Sequence, residues 1–177
     1  DDLDLYIVSG GSEFKEGSEF MQDRLYINAG DGRYKRDMKA LPVMTTYGSR
    51  VIPADYDSDG DQDLFVGGRM VPGEYPLPAD SYLLQNQDGK FTDISPDISP
   101  EMKSLGLVTD AVWTDIDEDK DLDLIVVGEW MPLRIFKNVE GRLSMIMHNS
   151  NGLENSHGWW HSIAARDFDG DGDMDLV

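Results

Sequence analysis

Asp167–Val177 reads DFDGDGDMDLV, five aspartates at alternate positions followed by an apolar pair. The pattern D-x-D-x-D-G-D-x-D-L stands in full twice, at Asp55–Leu64 and Asp167–Leu176. A third copy, Asp115–Leu124, has Lys120 in place of the glycine, and Asp1-Asp2-Leu3-Asp4-Leu5 repeats the end of the pattern. Carboxylates at this spacing converge if the backbone wraps around a point. Such a cage suits a hard divalent cation with about six to eight oxygen ligands, and Ca2+ tolerates the irregular geometry of loops. A glycine at position six makes the sharp turn because it reaches left-handed dihedrals without a Cβ clash.

Side chains at positions one, three, five and nine, with the carbonyl of position seven, give three candidate sites. The first takes Asp55, Asp57, Asp59 and Asp63, with the Asp61 carbonyl. The second takes Asp115, Asp117, Asp119 and Asp123, with Asp121, and the third Asp167, Asp169, Asp171 and Asp175, with Asp173. Two to three Ca2+ ions are therefore expected. A solvated Asp-Gly turn is the plainer reading, but it leaves clustered carboxylates repelling one another in near-identical copies. An EF-hand needs a carboxylate at position twelve and a following helix. Here position twelve is Val66 or Val126, and the following residues, Leu64–Gly68 and Leu124–Gly128, are short β-rich runs closed by glycine. Each loop feeds a strand.

A D-x-D-x-D-G-x-x-D-L loop before a strand, returning about every sixty residues, resembles the FG-GAP/VCBS repeats. Those repeats form β-propeller blades in integrin α-chains and many bacterial surface proteins. Val127–Pro132 (VGEWMP) and Gly158–Ile163 (GWWHSI) are similar to the large bacterial VCBS proteins that often carry an ASPIC/UnbV module. The resemblance spans essentially the whole chain and implies a calcium-binding propeller, but no particular activity.

Asp4, Asp63, Asp123 and Asp175 are equivalent, at separations of 59, 60 and 52 residues. A period of this length with strand-type content indicates propeller blades. The repeat frame gives units at about 1–54, 55–114 and 115–166, with the next starting at 167–177. Each unit has a second landmark, an apolar strand, an Asn, an acidic-Gly turn, a basic residue and another strand. It occurs at Leu25–Tyr34, Tyr82–Phe91 and Leu133–Leu143, and it reads as a hairpin. The fourth strand of each unit, such as Ser49–Ala54, runs into the next loop. The expected fold is all-β, a partial propeller of about three four-stranded blades. Three units do not close a ring of about four to eight blades, so the remaining blades are expected in a larger parent chain.

The formal net charge is −20, and more than half of the 35 acidic residues lie in the loops and the opening fragment. No basic face is available for nucleic acid, and an anionic membrane surface is disfavoured likewise. No run approaches the roughly twenty apolar residues of a membrane span. Cysteine is absent, so disulfides are excluded. Millimolar calcium outside cells suits loop sites of modest affinity, which places the parent protein outside the cell or on a bacterial surface.

From loop position nine to the hairpin Asn, the units run 24, 23 and 15 residues. The two longer units carry insertions, Gly10–Asp23 and the proline-rich Gly67–Asp80, while the third has only Gly128–Pro132. Such insertions line the binding face of a repeat protein or act as plain spacers. His157 and His161, with His148 and Glu154 nearby, lack the ligand spacing of a zinc site and read as structural or surface residues. Trp130, Trp159 and Trp160 could stack on sugars, but tryptophan in a blade reads first as core. Lys120 should strain its loop and compete with an ion for Asp119 and Asp121, making the second site the weakest. The expected role is non-enzymatic, the binding of a protein or carbohydrate on the loop face. The alternative is part of a secreted polysaccharide-degrading enzyme whose active site lies elsewhere.

Overall fold

The computed structural model describes residues 3–146, 152, 153 and 155–177. Each landmark forms its hairpin. Strand β2 (Arg24–Asn28) pairs with β3 (Tyr34–Asp37), β6 (Tyr82–Gln87) with β7 (Lys90–Asp93), and β10 (Arg134–Val139) with β11 (Arg142–Met145), all antiparallel. The tight turns of the latter two place Asp88 and Gly89, and Glu140 and Gly141, at positive φ. Two successive left-handed residues give the turn whose twist matches the strands it joins.

The aspartate loops are the other recurrent turn. The first joins β4 (Gly48–Ala54) to β5 (Asp63–Gly68), with Ala54 opposite Asp63. The second joins β8 (Leu107–Thr114) to β9 (Asp123–Met131), with Thr114 opposite Asp123. The third joins the short strands β13 (Ala165–Arg166) and β14 (Asp175–Leu176). The strand before each loop therefore pairs with the strand after it, and the sheets are phased one strand earlier than the repeat frame.

The result is all-β, a series of antiparallel sheets that form part of a β-propeller. Strands β4-β5-β6-β7 make one four-stranded blade, and β8-β9-β10-β11 make the next. The short strand β12 (Gly158–Trp159) adds to the far end of β9. Strand β1 (Leu5–Ile7) with β2 and β3 makes a three-stranded sheet equivalent to the last three strands of a blade. A short helix, Ser95–Ile98, and a 3-10 turn, Pro100–Met102, carry the chain from one blade to the next.

Cores lie between sheets. All of β5 is buried, and its alternation divides its side chains between two neighbours. Leu64 and Val66 pack with Leu25, Met44, Leu84 and Phe91 toward the first sheet. Phe65 packs with Leu83, Met102, Val108, Leu124 and Phe136 toward the third. Burial on both faces explains why these strands read as continuous apolar runs. The blades approach closely, since a Cβ at Gly67 would lie 2.6 Å from Val108 Cγ1.

The tryptophans depart from the core reading. Trp130 is 61% exposed and Trp159 is 50% exposed. Trp130 is the one exposed residue of β9, and it stands there at φ +57° between buried Glu129 and Met131.

Candidate metal centres

The structure brings together the carboxylates of positions one, three and nine in every loop. One oxygen each from Asp55, Asp57 and Asp63 lie within 4.8 Å of one another, and the same holds for Asp115, Asp117 and Asp123 and for Asp167, Asp169 and Asp175. No such group among the described residues includes His157 or His161. His148 and Glu154 lie outside the described residues.

Local hydrogen bonds set this convergence. The position-one carboxylate accepts the N–H of position six, from Gly60 at 3.1 Å, Lys120 at 2.9 Å and Gly172 at 3.0 Å. That closure requires a left-handed residue at position six, and Gly60, Lys120 and Gly172 have φ of +99°, +77° and +101°. Lys120 thus takes the strained conformation its position predicts. Position four is left-handed as well, at Ser58, Glu118 and Gly170, a feature only Gly170 advertised.

Positions five and seven are engaged differently. Asp59, Asp119 and Asp171 each turn one oxygen back to accept the N–H of position seven, with Asp61, Asp121 and Asp173 donating at 2.9, 3.0 and 3.0 Å. The side chains of Asp61 and Asp121 accept N–H groups of the hairpin turns, from Asp88 at 3.0 Å and Glu140 at 2.7 Å.

Position nine and the landmark Asn bind each loop to its hairpin. Asp4, Asp63 and Asp123 accept the backbone N–H of Asn28, Asn86 and Asn138 at 2.8, 2.7 and 2.7 Å. The Asn amides donate back to the carbonyls of Leu3, Gln62 and Leu122. Asn138, fully buried, donates a further bond of 2.7 Å to the Tyr56 carbonyl in the loop of the preceding blade. The sequence showed the Asn three times but not its bonds across the sheet.

Whether a cation fits is decided by what the carboxylates lack. Asp55 Oδ1, Asp63 Oδ2 and Asp115 Oδ1 are buried and have no hydrogen-bond partner. Buried carboxylate oxygens without donors are costly, and positive charge among them removes the cost. Burial, followed by the charges of Asp57 and Asp59, raises the Asp63 carboxyl to about 6 against the bonds it accepts. Burial also raises Asp123. A bound cation reverses that direction. The donor set is all oxygen and anionic, so it fits a hard divalent ion.

The second loop differs through a residue that the sequence reading missed. Lys137 forms ion pairs with Asp117 and, at 3.6 Å, with Asp119. In the first loop the equivalent position is Gln85, whose amide donates to Asp57 Oδ2 at 2.7 Å. Lys120, expected to be the competing cation, makes no ion pair among the described residues. Neighbouring loops also meet, and the Asp173 carboxyl, bonded to Glu118, raises the latter.

A family model described as FG-GAP-like repeat matches residues 1–66 and 115–177, more than half of the sequence. The chain belongs to the FG-GAP-like repeat family. The matched segments contain all three aspartate loops. No curated protein matches the chain. FG-GAP repeats are typically non-catalytic structural modules and commonly occur in extracellular proteins. Among the described residues, no helix is long and apolar enough to cross a membrane.

Proposed function

We propose that this FG-GAP segment is a calcium-stabilised, non-catalytic scaffold of an extracellular or cell-surface protein, presenting its inter-strand loops to a protein or glycan. The observation that carries the reading is the set of buried, donor-less oxygens Asp55 Oδ1, Asp63 Oδ2 and Asp115 Oδ1 beside converging carboxylates. Ca2+ held by positions one, three and nine would supply the missing positive charge. These residues do structural work in the same loops. Position one closes the turn, position nine holds the hairpin, and position seven caps the next turn. Aspartates engaged in this way are poor candidates for acid-base catalysis, which needs a carboxyl free to exchange protons with substrate.

With calcium about tenfold above its dissociation constant, each site adds roughly 1.4 kcal/mol by linkage. Two such sites raise the melting temperature of a chain this size by about 5–10 °C. Calorimetric titration of chelator-stripped protein, with melting in parallel, tests this. Two or three bound ions with a rise of that size support the reading. A folded protein that takes up no calcium at millimolar concentration defeats it.

A further inference from the structure

The second insertion crosses to the next blade and builds a cleft against the end of β9. Its volume is roughly 530 Å3, and its walls include Tyr75, Pro78, Leu107, Trp130, Arg134 and His157. This lies in the range of small-ligand sites, about 300–1,000 Å3.

The aromatic wall is held in place by a chain of polar contacts. The Trp130 indole N–H donates to the Tyr75 hydroxyl. Tyr75 donates to Glu129 Oε2 at 3.4 Å, and the buried Glu129 is paired with Arg69. Trp159 stands beside Trp130, with ring centroids 4.8 Å apart and planes at 55°. Trp130 keeps its outward position at a left-handed φ that a bulky residue rarely adopts. The bulge where β12 meets β9 lies alongside. Strain held by surrounding contacts is characteristic of ligand-binding sites.

We propose that this cleft binds a pyranose ring of a glycan chain, an inference that rests on the ligand-presenting role proposed above. A pyranose has an apolar C–H face and an equatorial rim of hydroxyls that both donate and accept. The cleft offers the matching pair, a fixed aromatic face with polar groups beside it in Arg134, His157 and Glu129. With Glu129 paired to Arg69, the described residues of the cleft carry no excess negative charge in a chain whose net charge is −20. Neutral and uronic-acid sugars are both admissible on that ground. A proline-rich peptide, by contrast, needs an extended groove of successive aromatic ridges, and among the described residues the aromatic wall is the single hydrogen-bonded pair Tyr75 and Trp130. Holding Trp130 in advance through Tyr75 lowers the ordering cost of binding.

The test uses the calcium-loaded chain with soluble cellohexaose, xylohexaose, mannohexaose and oligo-alginate, read by tryptophan fluorescence and calorimetry. At least one sugar should bind, and the neutral and uronate probes show which rim chemistry is preferred. Trp130→Gly, which keeps the left-handed backbone without strain, should weaken binding about tenfold or more, the scale of one aromatic contact. Trp130→Phe should recover part of it. Unchanged sugar binding in Trp130→Gly overturns the proposal. So does a folded, calcium-responsive protein that binds none of the four, or that binds a proline-rich peptide at this cleft instead. Loss of the calcium response itself is a separate result, which strikes the scaffold reading.

Discussion

Replacing Asn138 with Ala tests whether one buried amide joins two blades. Its Nδ2 donates to the Tyr56 carbonyl at 2.7 Å and to the Leu122 carbonyl at 3.1 Å. Each bond contributes about 1 kcal/mol net, and an acceptor left buried without a donor costs about 1–3 kcal/mol. Against this, the variant also removes Asn138 Oδ1, a buried oxygen with no partner. The balance is a loss of about 2–4 kcal/mol, or roughly 5–12 °C in melting temperature for a chain of this length. Asn86→Ala is the internal reference. Asn86 also donates one amide bond, to Gln62 at 3.1 Å, and accepts one from Gly89, but both bonds are exposed to solvent and stay within one blade. It should lose only about 1 kcal/mol. Thermal and urea unfolding at saturating calcium would measure both variants side by side. Equal losses would refute the claim that the Tyr56 bond acts as an inter-blade tie.

Three further outcomes follow from the loops and the first sheet. Lys137→Gln copies the first loop into the second. It should raise calcium affinity there by about two- to fivefold, the scale of an exposed ion pair, and lower the melting temperature in chelator; titration and melting of the same sample show both signs. Lys120→Gly removes left-handed strain of roughly 1–2 kcal/mol but adds unfolded-chain entropy, so urea unfolding should show a gain of about 0.5–1 kcal/mol. Asp23 accepts bonds from Ser9 N–H at 2.6 Å and the Tyr6 hydroxyl at 2.8 Å, yet burial raises its carboxyl to about 6 from 3.8. The folded state therefore binds the proton more tightly. The stability from this group is present below about pH 4 and is lost as pH rises through about 6. Relative to Asp23→Asn, the unmodified chain should lose on the order of 2 kcal/mol across that window, read as the difference between paired melting curves.

The all-β fold was legible because two short signals recur in register, the aspartate loop and the Asn-turn hairpin. Their phase was not, since a repeating pattern does not mark where a sheet begins. The pairing of Ala54 with Asp63 decides it. At the site, positions one, three and nine followed from spacing. One oxygen of the position-five Asp accepts the N–H two residues ahead, as an Asp readily does and as Asp57 and Asp169 of position three also do. Lys137 was invisible because the carboxylates it meets lie about twenty residues earlier. Trp130 was misread for a local reason. An apolar strand predicts burial, but the left-handed backbone beside the bulge turns this one side chain out.

The antiparallel blades Gly48–Asp93 and Leu107–Met145 are each woven from one unbroken run of chain. Folding can therefore nucleate in any blade and spread along the arc by docking finished sheets, without waiting for distant segments to meet. The same economy limits damage. A lesion in one loop frays its own sheet and the two seams beside it, and the blades beyond retain the hairpins from which the arc can be rebuilt.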